Sequence, residues 1–135
     1  LGIDKALNRY CREMTERSGV RIEYVSYGIH LPPGNDSSTQ IFRIAQEALT
    51  NAIRHGQPSE INVQLLGSRD KITLVIQDDG SGFDPAVVRF KKGTGLDHMR
   101  DRVTILHGTF ELDSAPGAGT TITVKIPSEH EKQPG

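Results

Sequence analysis

Apolar residues recur along the chain in two rhythms, and each rhythm assigns its stretch to a helix or a strand. In residues 40–55, Ile41, Ile44, Ala45, Ala48, Leu49, Ala52 and Ile53 fall at three- and four-residue steps. That spacing predicts an amphipathic helix with one buried stripe. Ile3, Ala6, Leu7, Tyr10, Cys11 and Met14 keep the same step ahead of Ser18-Gly19, a pair suited to a left-handed C-cap. Leu96, Met99, Val103 and Leu106 predict another helix, closing at His107-Gly108. Elsewhere the period drops to two: Ile61, Val63 and Leu65 alternate with Asn62 and Gln64, and Ile72, Leu74 and Ile76 with Thr73 and Gln77. Residues 20–27, 109–113 and 120–126 supply the remaining strands. Ser37, with Gln40 three positions on, resembles a capping box that starts the central helix, and Gly56-Gln57-Pro58 stops it. Gly67-Ser68-Arg69-Asp70 and the turn 115–119 read as hairpin connections. Three helices and about five strands, without strict β-α alternation, predict an α/β (α+β) two-layer sandwich. Its mixed, mostly antiparallel sheet has helices on one face.

Composition narrows the function more than the fold. At 135 residues the chain is expected to form one domain over residues 1–127, followed by a polar tail, 128–135. A net charge of −1 argues against a nucleic-acid partner, which calls for a basic face. The sequence has no signal peptide and no apolar run of membrane-spanning length. The lone Cys11 lies on an apolar helix stripe, which favours a small core residue over a nucleophile and fits a reducing, cytoplasmic setting. The missing start methionine suggests a piece of a longer parent, with a membrane-anchored or a free parent both open.

Candidate chemistry gathers at three stretches. Glu47, Asn51 and His55 follow one another four residues apart and stack beside the core stripe of the central helix. Any one of them alone reads as a solvated position; the glycine-rich loops elsewhere change the balance. Asp78-Asp79-Gly80-Ser81-Gly82 ends a strand in an acidic pair, with glycines that allow sharp turning. A strand-end carboxylate accepts only, which suits an exocyclic amine such as that of adenine, although Asp-Gly is also a plain turn signal. Gly93-Thr94-Gly95-Leu96 opens a helix, where backbone N–H groups and the helix dipole favour an anion. Neither the Walker pattern nor the dinucleotide fingerprint is present. The Asn51 carboxamide oxygen suits Mg²⁺, Glu47 could accept a proton or hold a metal-bound water, and His55 either touches the ligand or caps carbonyls.

In this order and spacing, the stretches resemble the ATP-binding catalytic domain of bacterial sensor histidine kinases, within the gyrase/Hsp90/histidine kinase/MutL superfamily and its Bergerat fold. Residues 47–51 are similar to the family's N box, 78–82 to its first glycine box and 93–96 to its second. Gly119-Thr120 before a last strand ending at Pro127 also fits. His55, a short lid and Met99-Arg100-Asp101-Arg102 resemble the nitrate-sensor and desaturase-sensor subfamily.

The resemblance implies ATP and Mg²⁺ as cofactors, with Asp78 on the adenine amine and Thr120 supporting that contact. It implies Asn51 on the metal and Glu47 as the proton-handling or water-orienting group. Gly80 and Gly82 would wrap the nucleotide, while Gly93, Thr94, Gly95 and Leu96 would form the lid hinge and phosphate cradle. Lid residues Arg89, Lys91 and Lys92 would neutralise phosphate charge or simply be solvated. The phosphorylated histidine itself is not expected among His30, His55, His98, His107 or His130. It would sit on a dimerising helical hairpin of the same parent, which then passes the phosphoryl group to a response regulator. The fragment is expected to be a monomer and the parent a homodimer. The alternative is an anti-sigma-factor-like serine kinase switch of the same fold, which the abrupt start at Leu1 disfavours.

Overall fold

The computed structural model describes residues 2–29, 36–88 and 94–128. The elements run α1 (Ile3–Ser18), β1 (Arg21–Tyr27), α2 (Asp36–Asn51), a π-helical turn (Ala52–Gly56), β2 (Glu60–Gly67), β3 (Lys71–Asp78), α3 (Pro85–Val88), α4 (Gly95–Ile105), β4 (Thr109–Ser114) and β5 (Thr120–Pro127). The five strands form one sheet in the order β1-β2-β3-β5-β4. Only β1 and β2 pair in parallel. A parallel pair needs a crossover, and α2 supplies it.

The expected two-layer sandwich is what forms. Val63, Ile76, Ile122 and Leu112 lie opposite one another across four strands, and Leu65, Leu74, Val124 and Phe110 form the next row. Against these rows α2 sets Ile41, Ile44, Ala45 and Leu49, all fully buried. Each of the three larger side chains, Ile41, Ile44 and Leu49, contributes about 1.5–3 kcal/mol by leaving water. Leu7 and Cys11 of α1 join the same core, so Cys11 is the buried small residue expected of it. Helix α1 ends where Gly19, at φ 77°, forms a left-handed cap. It is tied to β1 by the Tyr24 hydroxyl, which donates to Asp4 at 2.8 Å.

Three local readings change. The described part of α2 begins at Asp36, one residue ahead of Ser37, which is buried in its first turn. Gln40, the other half of the expected box, instead accepts a 2.9 Å hydrogen bond from Arg102 of α4. The central helix also does not remain α-helical to His55, because its last turn widens into the π form before Gln57 at φ 47°. Finally, the polar stretch after Phe83 contains α3, whose start follows from Asp84-Pro85: Asp84 accepts the Ala86 N–H at 2.9 Å, and proline suits a first helical turn. No helix among the described residues is long and apolar enough to cross a membrane.

Candidate functional site

Strand alternation builds one wall of the site. The cross-strand row that follows the core rows towards one end of the sheet runs Ile22, Ile61, Asp78, Thr120, Ser114. It keeps the helix-facing parity of the core but turns polar halfway across. Asp78 and Thr120 therefore stand side by side where the hydrophobic layer ends. The Asp78 carboxylate accepts the Gly80 N–H at 2.8 Å. Burial pushes its pKa up; hydrogen bonds from the Gly80 and Thr120 N–H groups oppose that rise, and the neighbouring Asp79 charge adds to it. Asp79, one residue on, points the other way. It accepts the Ser59 and Glu60 N–H groups at 2.8 and 3.0 Å, and those bonds lower its pKa. The acidic pair thus divides into one cavity carboxylate and one backbone clamp.

The opposite wall comes from α2 and its π turn. Glu47, Asn51 and His55 all border the same cavity as Asp78, joined by Arg54 from the widened turn. π-Turns within helices are frequent at functional sites. Helix α4 approaches this wall with its N-terminus. Thr94 caps it by accepting the Asp97 N–H at 3.3 Å, and Thr94, Gly95 and Leu96 also border the cavity. Gly95 sits close against both side chains: a Cβ there would lie 3.1 Å from Asn51 Nδ2, 3.1 Å from Glu47 Oε2 and 3.2 Å from Asn51 Oδ1. His98 Nδ1 stands 3.8 Å from the other Glu47 oxygen.

Between the walls lies a cavity of about 760 Å³, with Ala48, Ala52, Ile76, Ile122 and Phe83 as apolar lining. That volume and that mix of apolar walls with a few polar groups are typical of small-molecule sites. Asp78 and Asn51, drawn from sequence stretches far apart, line one cavity.

Of the residues singled out from the sequence, Glu47, Asn51, His55, Asp78, Gly82, Thr94, Gly95, Leu96 and Thr120 all border the cavity. Gly80 sits just behind it, its Cβ position 2.6 Å from the Gly56 carbonyl oxygen, so that glycine serves a close approach of two backbones. Gly82 has φ 64° and abuts the Ala115 carbonyl. Gly93 and lid residues Arg89, Lys91 and Lys92 lie outside the described residues, as do His30 and His130. Arg54, Phe83, His98 and Ser114 are additions that sequence reasoning missed. Arg54 carried a signal, a cation in the stretch predicted as the central helix, next to His55; the others are brought in only by tertiary packing.

No group of three or more His, Cys, Asp or Glu side chains among the described residues could hold a metal alone. Glu47 and Asn51 border the same cavity, and a carboxylate and a carboxamide oxygen are donors that suit a hard ion whose other ligands are waters and phosphates.

Comparison with known proteins places this geometry. The family model for histidine kinase-, DNA gyrase B- and HSP90-like ATPases matches residues 36–130. The signal transduction histidine-protein kinase/phosphatase DegS of Bacillus subtilis is 37% identical over 94% of this chain. The sensor protein VraS of Staphylococcus epidermidis is 31% identical over 96%. The chain spans about a third of these relatives' length, 34% and 37%. Among solved structures, the ATP binding domain of PrrB from Mycobacterium tuberculosis superposes with a TM-score of 0.78 at 21% identity, over 95% of both chains. The histidine kinase domain of a blue-light activated kinase from Erythrobacter litoralis gives the same score at 21% identity, over 98% of this chain and 64% of that one. With residues 36–130 matched by its model, the chain belongs to the family of histidine kinase-, DNA gyrase B- and HSP90-like ATPases.

Proposed function

We propose that this chain is the nucleotide-binding catalytic unit of a sensor histidine kinase, binding Mg·ATP and passing the γ-phosphoryl group to a histidine on a helical hairpin elsewhere in its parent. The observation that carries the reading is that Asp78 and Asn51, from distant stretches of the chain, both line one cavity of about 760 Å³. Asp78 accepts a hydrogen bond from the adenine amine, and the apolar walls from Ile76, Ile122 and Ala52 take the flat base. Asn51 presents its carboxamide oxygen to the phosphate end, where Mg²⁺ supplies charge neutralisation of the phosphates. The α4 N-terminus offers backbone N–H groups to the same anion. As the P–O bond to ADP breaks and a P–N bond to the attacking imidazole forms, Glu47 is the carboxylate placed to accept the imidazole proton. Phosphoryl transfer depends chiefly on positioning and electrostatics, which is what these groups provide. The names of the kinase relatives support this reading over an anti-sigma-factor-like serine kinase, for which no observation speaks. The parent would act as a dimer and deliver its phosphoryl group to a response regulator.

Calorimetric titration with ATP and GTP, with and without Mg²⁺, tests the proposal. Saturable, Mg²⁺-dependent binding that favours ATP by at least about tenfold is expected, the loss of one good hydrogen bond being worth about that much. Equal affinity for both purines would remove Asp78 from its role. Incubated alone with ATP, the chain should acquire little phosphohistidine, and robust labelling would contradict a separate phosphoacceptor.

A further inference from the structure

Three contacts meet at Ser114 Oγ, and one assignment of protons makes all of them hydrogen bonds. The Phe83 N–H donates to Ser114 Oγ at 2.9 Å. The Gly119 carbonyl oxygen lies 2.9 Å away, and so does Thr120 Oγ1. A serine hydroxyl carries one proton and two lone pairs. The carbonyl can only accept, so the Ser114 proton belongs to Gly119. One lone pair is taken by the Phe83 N–H, and the other faces Thr120, whose hydroxyl must donate. Turning the Ser114 proton towards Thr120 instead would leave two oxygens 2.9 Å apart with no proton between Ser114 and Gly119.

We propose that Ser114 is a specificity-determining positioning residue: by taking up the Thr120 proton it fixes Thr120 as an acceptor towards the cavity, beside the Asp78 carboxylate. The inference rests on the nucleotide reading of the site given above. Thr120 stands opposite both Ser114 and Asp78 in the sheet register, so its lone pairs and the carboxylate address the same ligand edge. A purine edge meeting two fixed acceptors must bring donors. A 6-amino group carries two N–H donors, whereas a 6-oxo purine offers only N1–H on that edge and sets its O6 against the acceptors. Without Ser114 the Thr120 hydroxyl is free to rotate and donate to a 6-oxo group, and the discrimination relaxes.

The test is the ratio of affinities for Mg·ADP and Mg·IDP, measured by calorimetry on the wild-type chain, Ser114→Ala, Thr120→Val and the double variant. The wild type should prefer ADP. Ser114→Ala should narrow the ratio by about fivefold, the worth of one hydrogen bond, and should narrow it no further in the Thr120→Val background. If Ser114 only props the loop at Phe83, both nucleotides weaken equally and the ratio holds, which overturns the inference while leaving the adenine reading intact. A ratio that falls equally with and without the Thr120 hydroxyl also overturns it. A wild type indifferent to the base overturns the adenine reading itself, and this inference with it. Should Ser114→Ala not fold, Ser114→Cys carries the same expectation, because the thiol fills the space but accepts hydrogen bonds weakly.

Discussion

Asp78→Asn should separate what the fold needs from what the ligand needs. The substitution keeps the shape, removes the charge and replaces one acceptor with a donor. On the fold side, burial has raised the Asp78 pKa despite the N–H groups of Gly80 and Thr120. The folded state therefore holds the Asp78 proton to higher pH than the unfolded chain, whose value is about 3.9. Ionising Asp78 costs stability: nothing below the unfolded value, progressively more as pH rises through the window up to the folded pKa, and in full above it. Asparagine has no such cost and still accepts the Gly80 N–H, so the variant should be at least as stable as the wild type at neutral pH. Any advantage should shrink towards about pH 4. On the ligand side, a charge-assisted bond worth about 1.5–3 kcal/mol is lost, and a carboxamide donor can be left facing the adenine amine. Together these weaken Mg·ATP by about 3 kcal/mol, roughly a hundredfold in Kd. Urea unfolding at neutral and acid pH, paired with calorimetry using a non-hydrolysable ATP analogue, reads both sides. A variant that unfolds more easily at neutral pH yet binds the analogue as before would refute the reasoning.

Three other outcomes follow from the geometry. Asn51→Ala should abolish most of the Mg²⁺-dependent part of ATP affinity without lowering the thermal midpoint, because Asn51 faces the cavity; unchanged metal dependence in calorimetry would remove its role. Gly82→Ala should destabilise the chain by about 2–4 kcal/mol in urea, since a positive φ is joined by a Cβ driven into the Ala115 and Gly119 carbonyl oxygens. Gly117→Ala, with φ 78° but nothing within 4 Å of its Cβ, should cost only about 1 kcal/mol, and equal losses at the two sites would show that contact contributes little. Cys11, its pKa pushed up by burial to about 11, should resist alkylation at neutral pH until the chain unfolds, as timed by mass spectrometry.

Much of this site was legible because its chemistry continues the folding pattern. The alternation that buries Leu74 and Ile76 on β3 puts Asp78 on the same face two residues on, and the alternation of β5 does the same for Thr120 ahead of Ile122. The four-residue ladder of Glu47 and Asn51 needs only α-helical geometry. What escaped depends on contacts that sequence spacing does not encode. Ser114 precedes an Ala-Pro-Gly turn and reads as a turn residue; its role exists only once β4 is laid against β5. The π turn carries no proline or other marker in Ala52–Gly56. The approach of His98 to Glu47 needs α4 packed on α2, two helices about fifty residues apart in the chain.

The two ends of the cavity are built from different materials, and that difference bears on how the site works. The end at Asp78 is a row of the sheet itself: Asp78, Thr120 and Ser114 occupy neighbouring strands, and the adjacent row in the same strands contains Ile76, Ile122 and Leu112. Moving any of the three polar residues means breaking strand pairing beside a close-packed core. The end at Glu47 is a contact between helices. There Glu47 and Asn51 meet the first turn of α4 across a glycine, and His98 Nδ1 stands 3.8 Å from Glu47 with half its side chain exposed. A small shift of α4 would change what Glu47 and Asn51 touch without disturbing the sheet. If the proposed nucleotide pose holds, base selection would be a property of the folded sheet and phosphate alignment would depend on how one helix turn sits, so substitutions along α4 should move turnover more than they move the preference for adenine.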